Sequence, residues 1–293
     1  MAKPGKGKAN NTSAQGAQTT TTPASSSSSS PPNWPAFKPP LPLPGLSLEL
    51  EPLVEDQIVV VRNFWPRSLC RDYVSFLKTL PLVTTPGKPK KGDAVRVNDR
   101  FEINDARFAD RLWSQTGLKD VVLQDEEARR LWGGEPVGLN PRIRVYRYSK
   151  GQYFAAHYDD YNAVTVNDKP AKTTWTLLLY LTSAAEGCSG GETVFYPHDR
   201  ISAKEEIPVS LETGMLLLHK HGDDCMLALG NGESLDELWH LDPIIFSTPS
   251  QYIAPMLPIA ENPMIDPTLR IALLGSNQTP PQNLLSQNAP LRV

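Results

Sequence analysis

The chain has 293 residues, 28 of them proline, and 40% are hydrophobic. Its formal charge is −3 and its pI about 6.0. That balance excludes a strongly basic chain of the kind dedicated to nucleic acid. No apolar run reaches the roughly 18 residues of a membrane-spanning helix. The N-terminal lysines are not followed by an apolar segment, so no secretory signal peptide is read and an intracellular location, cytoplasmic or nuclear, is expected. Cys70, Cys188 and Cys225 are odd in number and far apart. They form neither a disulfide framework nor a cysteine zinc site.

In chain order, residues 1–45 are Ser/Thr-rich and then Pro-rich. The first part buries too little apolar surface to order itself, and the second reads as an extended tether. The residues 46–227 form the expected ordered domain. Gln57 to Val61 is a β-branched strand pattern, and Pro66 to Leu80 a helix with Leu69, Tyr73, Phe76 and Leu77 on one face. Ala106 to Thr116 and Asp125 to Trp132 read as further helices. Arg142 to Tyr148 then alternates as a strand does, and Trp175 to Leu181, Glu192 to Tyr196 and Gly214 to Leu218 follow it. Helices first and strands later predict an α+β fold, a β core with an N-terminal helical layer. Residues 228–293 hold no lysine, and prolines recur among them. They read as an irregular tail, with a short helix or turn near Leu235 to Leu241.

One segment points to chemistry. His157 and Asp159 stand two apart, which on a strand puts both on one face. An imidazole and a carboxylate so placed fill two positions on a metal. A later histidine completes a 2-His-1-carboxylate facial triad, which leaves non-haem iron open positions. By spacing alone His219 or His221 is the candidate.

The pattern Tyr148-x-x-Gly151-Gln152-x-Phe154-x-x-His157-x-Asp159 is followed by Thr176 to Leu181 and by Gly190-Gly191-Glu192-Thr193. Together these resemble the 2-oxoglutarate- and Fe(II)-dependent dioxygenases, in their prolyl 4-hydroxylase-like branch. Val95 to Phe101 resembles a fungal-type subgroup of it. The resemblance implies a double-stranded β-helix, or jelly roll. It also implies that Fe(II) is held by His157 and Asp159, and that Tyr148 and Thr193 hold 2-oxoglutarate. Ascorbate would keep the iron reduced. A peptide or protein substrate would be hydroxylated with O2, giving succinate and CO2. Of the basic residues Lys88, Lys90, Lys91, Arg96 and Arg100, Arg100 is the best candidate for touching substrate.

The resemblance ends abruptly at Leu227. The family's third ligand falls at position 228, which is Ala228, and no lysine follows Lys220 to pair with 2-oxoglutarate. The jelly roll is therefore expected to be incomplete at its C-terminal strands. His219, His221 and His240 are substitute ligands. Either residues from Ala228 come from a retained intron, shifted frame or alternative exon, or the chain is a degenerate enzyme. The functional alternatives are a dioxygenase, a catalytically defective jelly-roll binding module, and a scaffold acting through its Pro-rich ends.

Overall fold

Strand and helix positions in the computed structural model follow from which faces of each segment are apolar. It describes residues 30–248 apart from 86–88, 90–93, 125, 167–168, 184–189, 199–200, 203, 223–224 and 231–236. By its contacts the chain divides into Met1–Ser30 and Pro31–Val293, and the second unit holds every strand and helix described. Its N-terminal part carries β1 (Glu51–Val54), β2 (Ile58–Val61), α1 (Arg67–Leu77), β3 (Val83–Thr84), β4 (Arg96–Val97) and β5 (Asp99–Asn104). Next come α2 (Ala106–Gln115), α3 (Leu118–Val122), α4 (Glu126–Leu131), β6 (Glu135–Leu139), β7 (Arg142–Tyr148), β8 (Tyr153–His157) and β9 (Ala163–Val166). The remainder is β10 (Lys169–Tyr180), β11 (Thr193–Tyr196), β12 (Ile207–Val209), β13 (Leu216–Lys220), β14 (Leu227–Gly230), β15 (Leu238–Asp242) and β16 (Ile244–Thr248).

The larger sheet runs β1-β2-β13-β10-β15-β7-β5-β3, with β16 and β9 also paired to β10 and β6 paired to β16. The smaller runs β12-β11-β14-β8-β4. From β7 to β15 the chain passes repeatedly between the sheets, and every pairing is antiparallel. This is a double-stranded β-helix with helices on the outer face of the larger sheet.

Strand periodicity explains the two cores. In β2, Val59 and Val61 point to the helical side while Ile58 and Val60 point between the sheets. A strand apolar on both faces shows as an unbroken Ile-Val-Val-Val run. The helical side also buries Leu69 and Tyr73 of α1, Phe108 and Leu112 of α2, and Val121 of α3. Between the sheets, Tyr146, Tyr148 and Tyr180 meet Phe195, Val209 and Ala228. Gly214, at φ +83°, turns the chain into β13 so closely that a Cβ there would lie 1.9 Å from the Trp65 carbonyl oxygen.

Two expectations are corrected. Residues 31–45 are not a free tether. Trp34 is 6% exposed, stacks on Phe108 at 4.0 Å, and donates its indole N–H to Asp105 Oδ2 at 2.8 Å. Asp105 also caps α2 by accepting from the Phe108 N–H. Tyr73 and Arg111 donate to the Pro35 carbonyl. Proline pre-extends this segment, so anchoring two aromatic rings costs little further entropy.

Nor is the chain irregular directly after Leu227. β14 and β15 take the two closing places of the jelly roll, short at four and five residues but hydrogen-bonded on both sides. A strand stands where a helix or turn was expected near Leu241. The misreading has a physical cause: all five residues of β15 are buried, yet the inward ones include His240 and Asp242. A strand lining a polar cavity hides the apolar alternation that would reveal it. The tail from 249 onward lies outside the described residues.

The strap yields a test. Trp34→Ala is expected to lower unfolding stability by about 3 kcal/mol, the cost of a buried aromatic truncation. Urea denaturation measures it, and a loss below about 0.5 kcal/mol would show that residues 31–45 are peripheral.

Candidate functional site

A cavity of about 380 Å³ opens between the sheets. Its walls follow from strand register. Along β7, Arg142, Arg144, Tyr146 and Tyr148 all line the cavity, while Ile143 and Val145 face the helical core. Across the sheet, Arg100 of β5 stands opposite Tyr146, Tyr146 opposite His240 of β15, and His240 opposite Tyr180 of β10. These four side chains make one row over the cavity floor.

The smaller sheet supplies the other wall. His157 pairs with Ala228, but Phe154 pairs with Gly230. Three steps on β8 therefore match two on β14, a bulge. The bulge brings Phe154 and His157 to the same side, with ring centroids 3.5 Å apart. Without it the two rings would face opposite ways.

His157 and Asp159 converge as expected. The His157 Nδ1–H donates to the Ala155 carbonyl at 2.8 Å, which turns Nε2 toward Asp159. That nitrogen lies 3.5 Å from Asp159 Oδ1. Thr176 Oγ1 donates to Asp159 Oδ2 at 2.7 Å and contacts His221 Nδ1 at 3.0 Å. One hydroxyl has one hydrogen, so His221 donates to Thr176. His221 thus acts on Asp159 through Thr176. His219 faces the same carboxylate from β13, its Nε2 3.6 Å from Oδ2.

Burial opposes the charge on Asp159, but the His157 contact, the neighbouring His219 and the Thr176 hydroxyl hold its pKa well below the usual carboxylate range. Burial lowers His219 to about 4, so it is neutral at pH 7. Burial also lowers His221.

The position opposite His157 belongs to Ala228, whose methyl offers a metal nothing. Among the described residues no three His, Cys, Asp or Glu side chains are gathered closely enough to hold an ion as they stand. His157 and Asp159, the two donors the resemblance implies, stand 3.5 Å apart, and Ala228 supplies no third. His219 is the nearest further imidazole to Asp159 and His221 is one hydrogen bond removed. His240 belongs to a different corner.

In that corner, Tyr148 stacks on His240 at 5.7 Å, and Tyr180 Oη lies 2.7 Å from Thr193 Oγ1. Both phenols are pushed up chiefly by burial. Burial first, then Arg96, lowers His240 to about 3. The strand facing Tyr148 thus presents a neutral imidazole to the cavity. Arg100 also lines the cavity, three strands from Tyr180; Lys88, Lys90 and Lys91 lie outside the described residues. Sequence reasoning missed Arg144, Tyr146, Thr176 and Tyr180. The alternation of β7 already placed Arg144 and Tyr146 on the face of Tyr148, so that signal was readable. Thr176 carried none.

Residues 143–224 match the family model described as the 2OG-Fe(II) oxygenase superfamily. No curated protein matches the chain. Among solved structures it is similar to the viral collagen prolyl hydroxylase of Paramecium Bursaria Chlorella virus-1 in complex with 2OG. There the identity is 15%, covering 66% of this chain and 97% of that one, with a TM-score of 0.45. It is also similar to a Pseudomonas putida prolyl-4-hydroxylase, at 14% identity, 65% and 92% coverage and a TM-score of 0.45. A third is the Trichoplax adhaerens prolyl hydroxylase in complex with a hypoxia inducible factor peptide fragment, at 15% identity, 66% and 84% coverage and a TM-score of 0.46.

His240 gives a pH prediction. Its folded pKa of about 3 lies below an unfolded value near 6.5, so as pH falls the unfolded chain takes up a proton that the folded chain does not. Stability is complete above pH 6.5 and declines below it, by about 2 kcal/mol at pH 5 from this group alone. His240→Phe should flatten the urea midpoint between pH 6.5 and 4. An unchanged slope would show that His240 titrates normally.

Proposed function

We propose that the cavity is the active site of a 2-oxoglutarate- and Fe(II)-dependent dioxygenase acting on a peptidyl, prolyl-like substrate. One observation carries this reading. At the end of β8 an imidazole with its Nδ1 tied to backbone and an ionised carboxylate two residues on share the cavity, within the stretch that matches the oxygenase model.

On this reading His157 Nε2 and Asp159 hold Fe(II), while Tyr148 and Thr193 hydrogen-bond 2-oxoglutarate. Fe(II) and 2-oxoglutarate with O2 supply oxidation of a substrate C–H bond, with succinate and CO2 as coproducts and ascorbate as reductant. The chain's own part is positional. The Ala155 carbonyl fixes the His157 tautomer, and Thr176, itself held by His221, keeps Asp159 oriented and charged. Such supporting contacts commonly weigh 10–100-fold on metal affinity. Leu178, Tyr146 and Tyr180 line the cavity and exclude water around the reacting atoms.

Ala228 favours a second reading. With a methyl opposite His157, the same cavity serves a module that binds peptide without turnover.

The test is succinate formation by the full chain with Fe(II), 2-oxoglutarate and ascorbate, beside equilibrium binding of prolyl peptides. The dioxygenase reading expects turnover that His157→Ala and Asp159→Asn each reduce by more than about 100-fold. Peptide binding with no succinate would reject it in favour of the binding module.

A further inference from the structure

The cavity wall built from β4, β5 and β7 carries four arginines: Arg96, Arg100, Arg142 and Arg144. Among the described residues only two carboxylates pair with them. Glu102 is shared by Arg100 and Arg142, and Asp242 pairs with Arg144 at 3.2 Å. Arg96 pairs with none. Its guanidinium lies over the Phe154 ring at 3.9 Å and reaches the Tyr146 hydroxyl at 3.4 Å. The Nε groups of Arg100 and Arg144 are buried and without a hydrogen-bond partner. On the other face of the same strand Arg147 is fully engaged, with two hydrogen bonds to Asp99. On this wall Arg96 is the arginine with no carboxylate partner among the described residues.

Neighbouring guanidiniums drawn out of water repel one another, and Arg100 is destabilised by burial and then by Arg96, Arg144 and Arg142. Their geometry suits a carboxylate, which a guanidinium grips with two parallel hydrogen bonds.

Register indicates which carboxylate. The row Arg100–Tyr146–His240–Tyr180 spans three strand spacings, about 14 Å. Tyr180 is bonded to Thr193, the residue assigned to 2-oxoglutarate. A five-carbon oxo acid held there does not also reach Arg100. Arg100 is thus left for a second, larger ligand. Arg96 stacks on Phe154, whose ring lies against His157. The anion site therefore lies beside the reacting end of the cavity.

We propose that Arg96 and Arg100 form a carboxylate anchor for the substrate, so that the peptide accepted here carries an aspartate or glutamate close to the residue presented at His157 and Asp159. This rests on the reading of the cavity as an active site, but its test does not need turnover.

The full chain is to be titrated with two peptide pools by ligand-observed NMR. Each pool has a fixed proline; the flanking positions carry glutamate in one and glutamine in the other. The expected result is at least tenfold tighter binding of the glutamate pool, weakened by salt and erased in R96Q/R100Q, while 2-oxoglutarate binding is unchanged. R96K/R100K keeps the charge without the planar fork and is expected to retain part of the preference. It, together with the salt dependence of the unaltered chain, decides the matter if R96Q/R100Q does not fold. Equal or undetectable binding of the two pools overturns the proposal. So does a loss of 2-oxoglutarate binding alone in R96Q/R100Q, which would assign the arginines to the oxo acid. A chain that makes no succinate yet prefers the glutamate pool retains the anchor and loses only the oxygenase reading.

Discussion

The half-buried carboxylate of Asp159 is the constraint around which the site is organised. An ionised group taken out of water costs several kcal/mol unless it is compensated. Here compensation comes from three elements at once: the His157 imidazole at the end of β8, the Thr176 hydroxyl in the middle of β10, and His219 on β13. Thr176 and His219 are cross-strand partners in the larger sheet, whereas His157 belongs to the smaller. The carboxylate therefore ties the two sheets together at one point. His221 completes the arrangement by fixing which way the Thr176 hydroxyl points. His157 Nε2 and the Asp159 carboxylate thus face each other at 3.5 Å across the cavity.

The second constraint is the register of β8 on β14. It places Ala228 beside His157 and Phe195 beside Ala228. The cavity wall is therefore apolar beside His157 and cationic along β4, β5 and β7. The cavity combines a tyrosine and histidine corner, a carboxylate beside imidazoles, and a row of arginines on the wall of β4, β5 and β7. Each zone follows from a strand whose alternate residues face inward.

Much of this arrangement is legible in the amino-acid sequence. The Arg142 to Tyr148 alternation marks β7 residue for residue, and the two-residue spacing marks the shared face of His157 and Asp159. What escapes has physical reasons. The β8 bulge shifts the face of Phe154 relative to His157, and no periodicity announces a bulge. β15 is buried on both sides with polar residues inward, so its pattern looks irregular. Arg96 lies on a two-residue strand, too short to show a period. Trp34 sits in a Pro-rich segment whose composition resembles a linker, and one aromatic side chain finding a pocket and a hydrogen-bond acceptor overrides that composition.

The central claim is that His157 and Asp159 present two metal donors and that Ala228 occupies the place of the third. It is tested most directly by titrating Co(II), as an oxygen-stable probe for Fe(II), into the chain and into Ala228→His. The account predicts weak binding by the chain as it stands and binding at least tenfold tighter by Ala228→His, with a cobalt absorption spectrum gaining one nitrogen donor. Equal affinity and identical spectra for the two would contradict it, because position 228 would then not face the metal.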